Sequence, residues 1–154
     1  MKSLEVGGMG GGFPERTGPG VAAGETSYAL ANSTDLFATI LEMAGVDYRE
    51  SVPDDIALDT VSLMPYLSDP GRESIREWVY ADAFTTDLGV RSGEYAIRGL
   101  RFKYLVDQSV EHFFDLEVDP YEHTNLLDGE LTADQSAAFD RLKSQVDALH
   151  ASEF

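Results

Sequence analysis

From Trp78 onward the apolar residues stop recurring at helical spacing and begin to alternate. The segments WVYADAF, YAIRG, FKYLV and HFFDL are short, aromatic and β-branched, the composition of residues that fit a pleated, half-buried surface. Gly99-Leu100 stands between AIR and RFKYLV, where a tight reversal would make the two a hairpin. HFFDL supplies a further antiparallel strand. Side chains alternate along a strand, so Arg101 and Lys103 are placed on one face and Phe102 and Tyr104 on the other. Helical periodicity returns at 132–150. Thr132 with Gln135 three residues later forms a capping box, and Phe139, Leu142, Val146 and Leu149 make one apolar stripe. The pattern predicts an α+β fold: a small antiparallel β-sheet of three to four strands, from about residue 78 to 116, packed against a C-terminal helix.

The preceding part reads differently. Residues 1–24 are Gly-rich, with GGMGGG at 7–12, and are expected to be a flexible segment. A phosphate-cradling loop is excluded because no Gly-Lys-Ser/Thr follows. Residues 25–77 are expected to be mainly helical. In ANSTDLFATILEMAG, Ser33 or Thr34 is placed to cap a helix, Asp35 suits its positive end, and Gly45 is the stop. Leu36, Phe37, Ile40, Leu41 and Ala44 form its apolar face. Residues 46–58 read as an acidic loop around Pro53. DTVSLMPYLSDPG predicts a short helix begun by Asp59 or Thr60, with Asp69-Pro70-Gly71 as the closing turn. RESIRE predicts a helical turn. Residues 78–154 form the sheet-and-helix part.

The net charge of −17 comes from 28 acidic against 11 basic residues. A phosphate backbone or an anionic bilayer would be repelled, so neither nucleic acid nor membrane is expected as a partner. The acidity fits either a solvated surface that confers solubility or adaptation to high salt. The absence of Cys excludes disulfides, thiolate metal sites and a cysteine nucleophile. No apolar run reaches the roughly 18–20 residues that span a bilayer. MKSLEVGGMGGG has no hydrophobic h-region, so no signal peptide is expected and the default compartment is cytoplasmic.

Arg91, Arg98, Arg101 and Lys103 are the one basic concentration. They are either a patch facing an anionic substrate or internal partners of Asp115, Glu117 and Asp119, and cross-strand pairing favours the second. His112, His123 and His150 lack metal-ligand spacing. Asp54-Asp55 reads as a solvated pair.

AIRGLRFKYLV followed by FFDLEVDPYEHTNLL resembles the C-terminal region of the sulfatase family, within the alkaline-phosphatase-like superfamily. The residues that carry the resemblance are Arg98, Arg101, Phe102 and Lys103, then Phe114, Asp115, Leu116, Asp119, Pro120, Glu122, Asn125 and Leu126. STDLFATILEMAGV is similar to the helix that closes the family's catalytic α/β domain. LDTVSLMPYLSDP is similar to the segment after it, with Thr60 standing where Gly is usual. KSLEVGGM is loosely similar to the family's Lys-x-x-x-Tyr-Glu-Gly-Gly segment.

The resemblance implies that Lys2, near a sulfate-binding lysine, and His123, near the catalytic cleft, contact substrate. It also implies a parent that hydrolyses sulfate esters with formylglycine and a divalent cation, calcium or magnesium. Formylglycine is made from Cys or Ser in a Cys/Ser-x-Pro-x-Arg motif; the sequence has no Cys, and its one match to the pattern, Ser68-Asp69-Pro70-Gly71-Arg72, falls on the turn read as closing the short helix. No catalytic residue, metal ligand or cofactor is therefore expected within the chain, which is expected to be inactive alone, with the catalytic strands upstream. Two alternatives remain: a non-catalytic binding or assembly module, and a fragment of a related phosphoester or phosphonoester hydrolase. The 34–44 helix would expose its apolar face and associate with a second copy or a catalytic subunit.

Overall fold

A computed structural model describes residues 21–22, 24–53, 55–56, 58–84 and 91–151. The chain divides into two compact units, Met1–Glu77 and Trp78–Phe154.

In the first unit, α1 spans Asp35–Met43 and α2 spans Met64–Ser68. Neither Ser33 nor Thr34 caps α1 through its side chain, contrary to expectation: Thr34 has helical φ and ψ, and the Ser33 hydroxyl donates to Asn32 Oδ1. Asp35 does the work instead. Its Oδ2 accepts from the Asn32 amide at 2.8 Å, and the residue is fully buried. The expected inner face is also reversed. Ala38 and Thr39 are buried beside Asp35, whereas Leu36, Phe37 and Ile40 are exposed. The Thr60 hydroxyl donates to the Thr34 carbonyl at 2.8 Å and accepts from the Ala38 amide, so a side chain ties this segment to α1. α2 begins at Met64 rather than at Asp59 or Thr60, because Pro65 can enter a helix only in its first turn. RESIRE forms bends and no helical turn. It is held by Ser74, whose hydroxyl accepts from the Leu30 amide, and by the Tyr66 hydroxyl, which accepts from the Ile75 amide at 2.6 Å.

The second unit is α+β. β1 (Val79–Phe84), β2 (Arg91–Arg98), β3 (Phe102–Asp107) and β4 (Val110–Asp115) form an antiparallel sheet in sequential order. The β2–β3 hairpin turns at Gly99-Leu100, as the sequence indicates, with Arg98 opposite Lys103. The β3–β4 turn is Gln108-Ser109, at φ 48 and 66. A two-residue hairpin needs two left-handed positions, and Asn-Gly is the usual signal. A bulge shifts the β1–β2 register after Asp82, near Gly93 at φ +76, a conformation open to glycine.

α3 (Ala133–Ala151) lies on one sheet face. Ala138, Leu142 and Val146 are its innermost residues, packed with Ile97, Phe102, Tyr104, Val106 and Phe113. Phe139 is partly buried and meets Tyr104 and Phe113 edge-on. Leu149 is likewise only half-buried. The capping box is present: Gln135 Oε1 accepts from the Thr132 amide at 2.9 Å, and Thr132 Oγ1 accepts from the Gln135 amide at 3.3 Å. Thr132→Ala is therefore expected to cost about 1 kcal/mol, read as a lower urea midpoint with an unchanged m-value. No change in midpoint would show the cap to be idle. Among the described residues, no helix is long and apolar enough to cross a membrane.

Candidate functional site

Two members of the basic cluster in the second unit, Arg101 and Lys103, are paired internally. Arg101 precedes β3, so strict alternation begins only at Phe102. Its guanidinium folds over the Phe102 ring at 4.8 Å and reaches Asp115, with Nη2 to Oδ2 at 2.6 Å, and Glu117 at 3.1 Å. The Arg101 hydrogen bond holds the Asp115 carboxyl below its ordinary range, overcoming the opposing effect of burial. Lys103, 4% exposed, points to the other face and donates to both oxygens of Glu122, at 2.8 and 2.7 Å. Its partner is thus none of Asp115, Glu117 and Asp119, the acids expected to serve the cluster. Arg98 Nε is buried with no acceptor among the described residues, and the side chain of Arg91 lies outside them.

The motif that follows β4 is a set of locks. The Asp115 carbonyl accepts from the Asp119 amide at 2.8 Å, and Asp119 Oδ2 accepts from the Thr124 amide at 2.8 Å. Glu122 sits at φ 60, unusual for a residue with a side chain, and this turns its carboxylate onto Lys103. Asn125 caps the 3-10 turn Leu126–Asp128 and the sheet edge together. Its Oδ1 accepts from the Phe113 and Leu127 amides, and its Nδ2 donates to the Glu111 carbonyl. One amide side chain thus replaces the missing neighbour of an edge strand.

Lys2 and Asp54 lie outside the described residues, and Asp55 is exposed. His123 is on the loop after Pro120, its side chain 76% exposed, with Nδ1 3.5 Å from Asp119 Oδ1 and the Tyr121 ring at 5.9 Å. His112 stacks on Phe114. His150 packs edge-on to Tyr95, with Nε2 2.9 Å from the Tyr80 hydroxyl. Among the described residues, no group of three His, Cys, Asp or Glu could hold a metal ion. The donor set that a divalent cation requires is not offered there.

Sequence reasoning missed two charge networks. In the first unit, Arg76 Nε lies 2.9 and 3.1 Å from the two oxygens of Asp35, its Nη2 is 2.5 Å from Oδ1, and its Nη1 is 2.8 Å from Asp59. Asp35 also accepts from the Val61 amide at 2.9 Å. Burial pushes the Asp35 carboxyl up, but the bonds from Arg76, Asn32 and Val61 outweigh it and hold the carboxyl below its ordinary value. The Arg76 guanidinium is raised, foremost by Asp35. In the second unit, the Tyr104 hydroxyl and Lys143 Nζ both donate to Glu111 Oε1 at 2.6 Å. Burial, then this bond, push the Tyr104 phenol up, and Lys143, then Tyr104, pull Glu111 down. Asp35 and Arg76 stand 41 positions apart, so no local spacing announces the pair.

A four-stranded antiparallel sheet with a helix across one face is the arrangement this chain presents for comparison with known proteins. No protein-family model and no curated protein matches the chain, but solved structures do. A protein crystallised in complex with its substrate D-glucosamine-2-N,6-O-disulfate matches with a TM-score of 0.65 and 25% identity, over 86% of this chain and 26% of that one. A Bacteroides thetaiotaomicron protein assigned to the sulfatases matches with a TM-score of 0.61 and 22% identity, over 85% and 27%. A 2-O GAG sulfatase matches with a TM-score of 0.52 and 21% identity, over 75% and 23%. The chain thus spans about a quarter of the length of these proteins.

Proposed function

We propose that the chain is the C-terminal portion of a sulfatase-like protein, that the whole protein hydrolyses sulfate esters, and that this portion is inactive alone. The observation that carries the reading is the use made of the motif residues. Arg101, Lys103, Asp115, Asp119, Glu122 and Asn125 all bond to one another or to nearby backbone, so they build a scaffold rather than a reactive centre. The one Ser-x-Pro-x-Arg string, Ser68 to Arg72, lies on an exposed turn where the Ser68 hydroxyl donates to the Pro65 carbonyl, and among the described residues no group of three His, Cys, Asp or Glu could hold a metal ion. Nucleophile and cation would come from the rest of the protein. This chain's contribution is a rigid turn that presents His123 and Tyr121 to solvent, each more than three-quarters exposed. A sulfated sugar is the substrate class we propose for the whole protein, after the disulfated glucosamine bound by the first relative.

The test is a p-nitrophenyl sulfate assay on the purified chain with added calcium or magnesium. Release of nitrophenol no faster than the buffer rate is expected. Robust turnover would overturn the claim that the chain is inactive alone. Turnover of p-nitrophenyl phosphate or phosphonate, but not sulfate, would move the assignment to the related ester hydrolases.

A further inference from the structure

Arg98 differs from Arg101 and Lys103: its Nε is buried and donates to nothing among the described residues. A buried guanidinium N–H without an acceptor is destabilising and uncommon. Ile97 beside it is fully buried in the core with α3, so alternation along β2 sends Arg98 to the opposite face of the sheet. There its cross-strand neighbours are Val79 of β1 and Lys103 of β3.

The carboxylates of β4 and of the turn after it are committed elsewhere. Asp115 and Glu117 are held by Arg101. Glu122 is held by Lys103 through both oxygens. Asp119 accepts from the Thr124 amide and has His123 beside it. Arg98 and Lys103 thus stand opposite each other, and among the described residues Lys103 alone of the two has a carboxylate. Like charges directly opposite on a sheet repel. In a chain with a net charge of −17, this excess of positive charge is a property of the place and not of the composition.

A water molecule would accept the Nε hydrogen but leave the charge excess. An anion removes both. A guanidinium offers adjacent N–H groups in one fixed plane, which matches two oxygens of a single oxyanion. Arg98 as a whole is half-buried, so a small anion can reach it from solvent. Resting on the functional reading above, we propose that Arg98 receives a sulfate group, free or carried on a sugar, on the sheet face opposite α3. Nε and one Nη donate to two sulfate oxygens. Lys103 keeps Glu122 and adds positive potential from the neighbouring strand.

The test is a titration of the whole chain with sodium sulfate at constant ionic strength, followed by 1H–15N NMR. The Arg98 Nε–H resonance, identified by its loss in Arg98→Gln, should shift saturably in the low millimolar range. The amides of Val79 and Lys103 should move with it. In Arg98→Gln those amides should report binding weakened about tenfold or more, the effect of losing a charge-assisted bidentate contact. No shift, or the same shift on adding chloride, would overturn the proposal. An equal response to acetate would make the occupant a carboxylate and overturn it as well. Glucosamine 6-sulfate binding more tightly than inorganic sulfate would identify a sulfated sugar as the source, and the reverse order would identify the free ion. Either order supports the site.

Stability supplies a second readout. In sulfate-free buffer Arg98→Met should leave the Tm unchanged or raise it, because it removes a donor without an acceptor and a like-charged neighbour of Lys103. A fall of about 5 °C or more would show that Arg98 already holds an acceptor within the chain, and would overturn the proposal. Turnover by the chain alone would refute the functional reading without touching this one. An absent sulfate response beside an inactive chain would do the reverse.

Discussion

Arg76→Met is expected to destabilise the Met1–Glu77 unit by about 3–5 kcal/mol, the cost of leaving a buried carboxylate without its counter-charge. Asp35 is fully buried and would keep only the amides of Asn32 and Val61. The change is best read as loss of amide-exchange protection in α1, which reports on this unit alone. Replacing both partners, Arg76→Met with Asp35→Leu, should recover much of the loss, since an apolar pair in place of a buried ion pair is often neutral. A loss below about 1 kcal/mol in the single variant would show that Asp35 does not depend on Arg76.

The pH dependence gives a second readout. In the native protein the Asp35 carboxyl lies below its ordinary 3.8. Its contribution is therefore fully present above that value and lost as pH falls through the lower folded value. Without Arg76, burial is the dominant influence and pushes the carboxyl up. The sign then reverses: the variant unit should gain stability as pH falls from neutral, while the native unit loses it only in strong acid.

Glu122→Ala should cost the Trp78–Phe154 unit about 2–4 kcal/mol. Lys103 is 4% exposed and donates to both Glu122 oxygens, so the substitution strands a buried charge. Partial escape of the lysine along its flexible stem sets the lower end of the range. The strain at φ 60 is not relieved, because Ala also carries a Cβ. Trp78 packs against the core of this unit, so its fluorescence during urea unfolding follows the loss. Lys103→Met in the Glu122→Ala background should restore most of the stability, and failure to do so would show that the carboxylate acts through the loop and not through Lys103.

Local chemistry made much of the second unit legible. Alternation located the strands, Gly99-Leu100 located one hairpin, and Thr132 with Gln135 located the start of α3, because each depends on residues within a few positions of one another. The Gln108-Ser109 turn was not legible. Its left-handed conformations are imposed by closure of β3 onto β4 and are not advertised by the residue types. The start of α2 was misplaced because Asp59, which resembles a cap, is a ligand of Arg76.

The candidate site divides in the same way. The motif residues were identified from sequence, and so was the tendency of the basic cluster to pair internally, but not the partner of each charge. Lys103 pairs with Glu122, 19 positions away, and a left-handed backbone at Glu122 makes this possible.

The sequence by itself determined the α+β pattern, the family resemblance and the amphipathic character of α1. Only the tertiary structure decided which face of α1 is inside and which acid meets which base. Periodicity reports the spacing of side chains along one element. It carries no information on whether a buried Asp35–Arg76 pair, joined across 41 positions, will hold that element with its apolar side toward solvent.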